Sequence, residues 1–228
     1  MLDVGTQQRY KQIMTKYPIY LDLKQQRAVV IGGGTIAFRK AQVLLEAGAR
    51  VVVVAKKVSE AMEKLCLTTP TELIKGSYSK EYIGCARLVI AATNDQELNE
   101  TIYEDCQALE ILCNVVDQPD LCDFYVPAVV KRGCLQIAIG TDGYCPAYAG
   151  HLRRKIEQLI TEKHGQFVCQ LEWARKEVLR ASDDPDQKKA ILGDLVSDHS
   201  FDIFCQEGTE PWRDYAREHI QQCISGDL

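Results

Sequence analysis

Among its ten cysteines the 228-residue sequence has no C-x-x-C pair, which removes the ligand spacing of zinc ribbons and fingers. It also lacks any run of about 18 apolar residues, and its first residues, MLDVGTQQRYKQIM, hold no apolar core of signal-peptide length, so neither membrane spanning nor export is expected. Positive charge is not in excess: the net charge is −5. Nonspecific nucleic-acid binding needs clustered Lys and Arg to displace counterions, so that class is disfavoured. No internal repeat or low-complexity tract occurs. These absences point to small-molecule chemistry in a reducing, cytoplasmic compartment with free thiols. Most of the cysteines read as small buried hydrophobes; Cys113, Cys134 and Cys145 stand out because they flank the segments that carry the argument below.

What the sequence does have is alternation. RAVVI (27–31) is a strand candidate that runs into glycines, and 36–48 places Ala37, Ala41, Leu44 and Leu45 on one helical stripe ended by Gly48. RVVVVA (50–55) has almost no polar alternation, as a strand covered on both faces requires. A helix (58–67), a short strand (72–76), a strand (87–93), a helix (95–109) and a strand (111–117) follow. This order predicts an α/β fold, a Rossmann-type doubly wound parallel sheet. A short helix over 7–16 precedes it and stops at Tyr17-Pro18, because a residue before proline is pushed out of the α region. After Asp117 the pattern changes to two extended runs, 124–133 and 134–141. From Pro146 onward it is helical: one helix over 146–165 ending at Gly165, a continuation to about Leu179, a break at SDDPDQ, then one or two short helices. The expected domains are 1–117, a dinucleotide-binding domain with an N-terminal extension, 118–145, a region of extended strands, and 146–228, a helical module.

The glycines lie in AVVIGGGTIA (28–37). Gly32-x-Gly34-x-x-Ala37 matches a dinucleotide fingerprint in which the first Gly makes a tight turn, the second admits a pyrophosphate and the third small residue lets helix pack on strand. Following an apolar strand and opening an amphipathic helix, it reads as a phosphate seat, since unpaired N–H groups and the helix dipole favour an anion there. The acid that should hold the adenosine ribose at the end of the second strand is missing; Ala55 stands there, followed by Lys56 and Lys57. Two lysines suit a 2′-phosphate or a solvated helix start, so the residues leave NAD and NADP both open.

Four runs in one order carry a resemblance: YPIYLDLKQQRAVVIGGGTIAFRKAQVLLEAGARVVVVA (17–55), LVIAATND (88–95), CNVVDQPDLCDFYVPAVVKRGCLQIAI (113–139) and CPAYAGHLRRKIE (145–157). Together they resemble the N-terminal module of siroheme synthase, the precorrin-2 dehydrogenase and sirohydrochlorin ferrochelatase family, collinearly over 17 to about 165. The resemblance implies NAD-dependent oxidation of precorrin-2 to sirohydrochlorin on an intertwined homodimer. In some members insertion of ferrous iron follows, so iron or cobalt would be a chelatase substrate. It implies that backbone at Thr35 and Ile36 touches the cofactor phosphates, that Lys56 and Lys57 flank the adenosine end, and that Thr93 and Asn94 line the crevice. A non-acidic residue at position 55 is usual in the family, which favours NAD.

Asp117, in NVVDQP, matches the aspartate the family uses in catalysis. Read without the family, it is a strand-terminal Asp bonded to the next turn. Loss of a hydride from a reduced tetrapyrrole leaves a cation that must lose a proton, and a carboxylate in reach can take it. Metal insertion releases two pyrrole protons, so one aspartate could serve both reactions. The substrate's eight carboxylates make Arg39, Lys40, Lys131, Arg132, Arg153 and Arg154 candidate partners, each otherwise a solvated charge. GTDGYCP (140–146) departs from the small Ser- or Gly-rich turn of relatives, placing Thr141 at the hydroxyl position beside bulkier Asp142 and Tyr144. His151 is a metal-ligand candidate or a partly buried polar residue, while His164, His199 and His219 read as helix-surface residues; the residues identify no metal ligand. The residues after 165 are too few for the methyltransferase region of siroheme synthase, so uroporphyrinogen methylation is expected of a separate protein. The alternative to an enzyme is a noncatalytic dinucleotide-binding or tetrapyrrole-handling module serving a partner enzyme.

Overall fold

The computed structural model describes residues 16–225, so the expected helix over 7–16 lies outside the described residues apart from Lys16. The chain divides into two compact units, Met1–Val126 and Pro127–Leu228. Residues 118–126, which the sequence groups with 127–145 as a separate strand region, fall within the first unit.

The first unit contains β1 (Arg27–Ile31), α1 (Thr35–Glu46), β2 (Arg50–Ala55), α2 (Glu60–Thr68), β3 (Glu72–Lys75), β4 (Leu88–Ala91), α3 (Gln96–Ala108) and β5 (Leu112–Val115). All four pairings are parallel, in the order β3-β2-β1-β4-β5. The doubly wound sheet expected from the alternation is thus present. The unalternated apolar strands follow from burial on both faces. Val29, Ile31, Val52, Val54 and Val89 pack on one face with Ile102 and Cys106 of α3. Ala28, Val30, Val51, Val53 and Ile90 pack on the other with Ala37, Ala41 and Leu44 of α1 and Met62 of α2. Cys106 and Cys113 are fully buried core residues; their mutual hydrogen bond, then burial, pushes the Cys113 thiol well above its ordinary range.

The second unit opens with β6 (Ala128–Arg132) and β7 (Leu135–Ile139), an antiparallel pair. Five helices follow: α4 (Pro146–Leu159), α5 (Glu162–Ala181), α6 (Pro185–Leu195), α7 (Asp198–Glu207) and α8 (Thr209–Ser225). Pro146 takes the first helical position, as expected. Three expectations are corrected here. The helix begun at Pro146 ends at Leu159 rather than at Gly165. Thr161 and His164 close a capping box that starts α5. Gly165 is buried inside α5, where a Cβ would meet the Arg132 carbonyl oxygen at 2.1 Å. Within SDDPDQ only 182–184 break the helix, because the Asp184 carboxylate accepts from the Asp186 and Gln187 N–H groups and Pro185 begins α6. Three helices, not one or two, complete the chain.

Their core is aromatic. Trp212 is fully buried, edge-on to Phe167 and Phe204, and its indole N–H donates to the buried Ser200 hydroxyl at 2.9 Å. Pairing that N–H lets an indole sit in an apolar interior without an unmet donor. At the β6–β7 turn the Cys134 Sγ lies 3.4 Å from Cys169 Sγ of α5, both thiols free. No helix of the described residues is long and apolar enough to cross a membrane.

Candidate functional site

The sheet order makes one edge special. β1 continues to β2 on one side, while β4 lies on its other side, so the carboxyl ends of β1 and β4 flank a topological switch point, where open α/β sheets bind ligands. Ile31 pairs with Ala91 and Ala91 with Val115, so the chain leaves β1, β4 and β5 side by side into 32–34, 92–94 and 116–118.

Each glycine of the first loop has a separate steric cause. Gly32 has φ +128°, and a Cβ there would lie 2.3 Å from the Ala92 carbonyl oxygen. At Gly33 a Cβ would lie 2.1 Å from the Lys57 carbonyl oxygen, because the loop packs against the chain leaving β2. Ser59 N–H donates to the Gly33 carbonyl at 2.8 Å and holds that approach. Gly34 is different: its backbone is extended (φ −81°, ψ −175°), and a Cβ would meet nothing within 4 Å. The protein does not itself require glycine at this position. Gly34 caps α1 with no side-chain hydrogen bond, and the first turn carries no acid. The first turn, with Thr35 and Ile36 exposed, therefore presents backbone donors and the positive end of the helix dipole to a cleared space. A dinucleotide pyrophosphate fits such a cradle. Lys56 and Lys57 are exposed at the end of β2 beside it, and Ala55 is buried, so no carboxylate faces a ribose from that position.

At the end of β4 the Thr93 hydroxyl contacts the Asn99 side chain (2.7 Å) and the Asp95 carbonyl (3.0 Å). The buried Asn99 amide donates back to the Thr93 carbonyl (3.2 Å). Thr93 thus shapes the rim mainly through backbone, while Asn94 is exposed on it. The Asp95 carboxylate accepts from Leu98 N–H and caps α3.

Beyond β5 the chain turns with Gln118 N–H donating to the Val115 carbonyl at 3.4 Å. Asp117 occupies the third position of this turn with φ +62°, a left-handed conformation that Gly, Asn and Asp tolerate best. Cys122 Sγ lies 3.2 Å from the Val115 carbonyl and 3.3 Å from that of Gln118, bracketing the turn. Burial pushes this thiol up, so it stays a neutral donor. Asn114 donates to the Phe124 carbonyl at 2.9 Å and fastens the following segment. Among the described residues the Asp123 carboxylate is consumed by Cys113 N–H (2.8 Å) and Gln107 (3.0 Å), whereas that of Asp117 is exposed and accepts no hydrogen bond. The Gln118 Oε1 beside it is buried without a partner. Asp117 stands two strands from β1, about 10 Å at ordinary strand spacing.

Lys40, on α1, connects the two loops electrostatically. Burial lowers its pKa below 10.5, and the nearby Cys122 and Asp117 partly restore it. The charged form is therefore penalised in the fold at every pH below the folded pKa, and the penalty disappears as pH rises toward 10.5. Lys40→Met is expected to raise the melting temperature at neutral pH, with the gain shrinking in alkaline buffer; thermal unfolding followed across pH checks the sign. Arg39 is exposed.

The remaining candidates belong to the second unit. The Thr141 hydroxyl accepts from Cys145 N–H at 3.2 Å at the start of α4. Arg153 pairs with Glu157 one turn on, and Arg132 donates to the Ile160 and Glu157 carbonyls, so both are partly engaged. Lys131 and Arg154 are exposed. His151 is exposed and stacks on Tyr148, and among the described residues it belongs to no cluster of metal-ligating side chains. Gly33, Cys122 and Asn114, which shape the site, were not singled out in the sequence as site residues; Gly33 carried a signal as the middle of three glycines.

Known proteins resemble this chain in the same regions. A family model described as putative NAD(P)-binding matches residues 19–128. A siroheme synthase of Psychrobacter arcticus is 39% identical over 155 residues, 68% of this chain and 28% of that protein. A siroheme synthase of Thioalkalivibrio sulfidiphilus is 32% identical over 215 residues, 94% of this chain and 43% of that protein. The chain thus spans less than half the length of these relatives. A solved structure titled SirC, precorrin-2 dehydrogenase, superposes with a TM-score of 0.71 at 25% identity, covering 92% of this chain and 100% of that one.

Proposed function

Since the chain belongs to the family of the siroheme synthase N-terminal module, we propose that it is an NAD-dependent precorrin-2 dehydrogenase that forms sirohydrochlorin. The observation that carries this reading is the pairing of a cleared, uncapped helix terminus at Gly34 with an uncommitted carboxylate at Asp117 on one sheet edge. NAD, when bound, supplies the hydride acceptor. Gly32 and Gly34 let its pyrophosphate reach the backbone N–H groups of Thr35 and Ile36, Lys56 and Lys57 flank its adenosine end, and Thr93 and Asn94 line its crevice. Asp117 accepts the proton that the tetrapyrrole loses after hydride departure. Arg39 and Lys40 meet substrate carboxylates; Thr141 and Arg153 are retained as substrate contacts on the family resemblance alone. A homodimer built through the region of β6 and β7 belongs to the same proposal, as does a cytoplasmic setting that keeps the buried thiols reduced.

Metal insertion into sirohydrochlorin is a second activity compatible with Asp117, which would then take pyrrole protons while ferrous or cobaltous ion enters as substrate. One assay tests both. Purified protein with precorrin-2 and NAD is expected to form sirohydrochlorin and NADH in equal amounts, and ferrous or cobaltous ion is then added against a spontaneous-insertion control. NAD binding without NADH formation would instead favour a noncatalytic binding module.

A further inference from the structure

We propose a divalent transition-metal site of the zinc and cobalt class in the C-terminal helices, formed by Asp194, His219 and Cys223. Among the described residues these three side chains bring one ligand atom each within 4.8 Å of the others. His219 and Cys223 lie four residues apart on α8 and so share a face; Asp194 comes from the last turn of α6. His219 is not the surface residue its sequence suggested, since its side chain is 16% exposed.

His219 Nε2 is the shared centre of the cluster. His219 Nε2 lies 3.1 Å from Asp194 Oδ2 and 3.6 Å from Cys223 Sγ. One imidazole nitrogen has one proton or one lone pair, so it cannot bond well to both. Around a tetrahedral zinc ion, with ordinary zinc–ligand lengths, the nitrogen–oxygen edge is about 3.3 Å and the nitrogen–sulfur edge about 3.6 Å. The two separations at His219 Nε2 follow those edges, and the third, between Asp194 and Cys223, is within 4.8 Å, so a small closure of the two helices brings all three atoms onto one ion.

The surroundings hold this geometry. Ile191 and Leu195 of α6 and Ala216 and Ile220 of α8 are buried in one apolar core. Gln187 of α6 donates to the Cys223 carbonyl at 3.0 Å, and the His219 ring is stacked on Tyr215 with 12° between planes. Asp194 is 60% exposed and gives an ion a way in. Mixed sulfur, nitrogen and oxygen donors suit zinc or cobalt and disfavour magnesium or calcium. The bonds formed are metal–thiolate, metal–imidazole and metal–carboxylate. The Cys223 thiol proton goes to solvent, and a water takes the fourth position. No oxidation state changes. The ion would clip α6 to α8.

The test uses the full chain freed of metal by chelation and titrated with zinc or cobaltous ion alone. One equivalent per chain is expected, with a raised melting temperature and, for cobalt, a thiolate-to-metal charge-transfer band. His219→Ala and Cys223→Ser should each weaken uptake by about tenfold or more; Cys223→Ser should abolish the band, and far-UV circular dichroism should show both variants folded. The double variant Cys134→Ser, Cys169→Ser controls for the other close pair of thiols and should bind normally. Less than one equivalent, uptake unchanged in His219→Ala, or uptake lost in the Cys134/Cys169 double variant overturns the proposal.

Discussion

Asp117→Asn is expected to lower turnover of precorrin-2 by about 10²- to 10⁴-fold, the usual contribution of a general base, while NAD affinity stays unchanged. Asparagine is chosen for a structural reason. The residue sits at φ +62°, where Asn is as comfortable as Asp, so only the proton acceptor is lost and stability should move by no more than about 0.5 kcal/mol. Asp117→Ala would confound two effects, because a left-handed alanine adds strain on the order of 1 kcal/mol. Steady-state kinetics together with an NAD titration separates the outcomes. Turnover near that of the parent protein would mean that the proton leaves through another group.

The second large effect divides adjacent glycines. At Gly34 an added Cβ meets nothing within 4 Å and the backbone is ordinary, so Gly34→Ala should fold, the gain from a stiffer unfolded chain being offset by alanine's poorer capping of α1. Its methyl group would occupy the space that the proposed function gives to the pyrophosphate. NAD affinity should fall roughly tenfold to a hundredfold, equivalent to losing a charge-assisted hydrogen bond of about 1.5–3 kcal/mol. At Gly33 the same change drives a Cβ to 2.1 Å from the Lys57 carbonyl oxygen and 2.8 Å from Val58 Cα. Both neighbours are backbone, so the loop must move, at about 3 kcal/mol or more. Calorimetry of folding and of NAD binding on both variants reads this out. Full NAD affinity in a folded Gly34→Ala protein would place the pyrophosphate elsewhere.

Parts of this site were legible because they depend on neighbours in the chain. The apolar run of β1, the glycine turn and the stripe of Ala37, Ala41 and Leu44 are local patterns, and they foretold strand, turn and helix with ends shifted by a residue or two. Helix ends were less legible where capping decided them. Gly165 reads as a terminator, yet the reciprocal bonds of Thr161 and His164 restart the helix four residues earlier and bury that glycine against Arg132. Position 117 was singled out by its resemblance to a family motif, but its left-handed backbone and its uncommitted carboxylate were not visible in NVVDQP.

The sequence by itself determined the parallel α/β sheet and the position of its glycine loop, since hydrophobic period and glycine spacing are carried by consecutive residues. Tertiary structure decided which side chains remain free to do chemistry. Asp123 is consumed by Cys113 N–H and Gln107 while Asp117 is not, and Gly33 is needed because Lys57 passes over it. Asp194 meets His219 and Cys223 only because two helices pack. Each of these outcomes depends on groups far apart in the chain, whose approach is set by burial of the core between them.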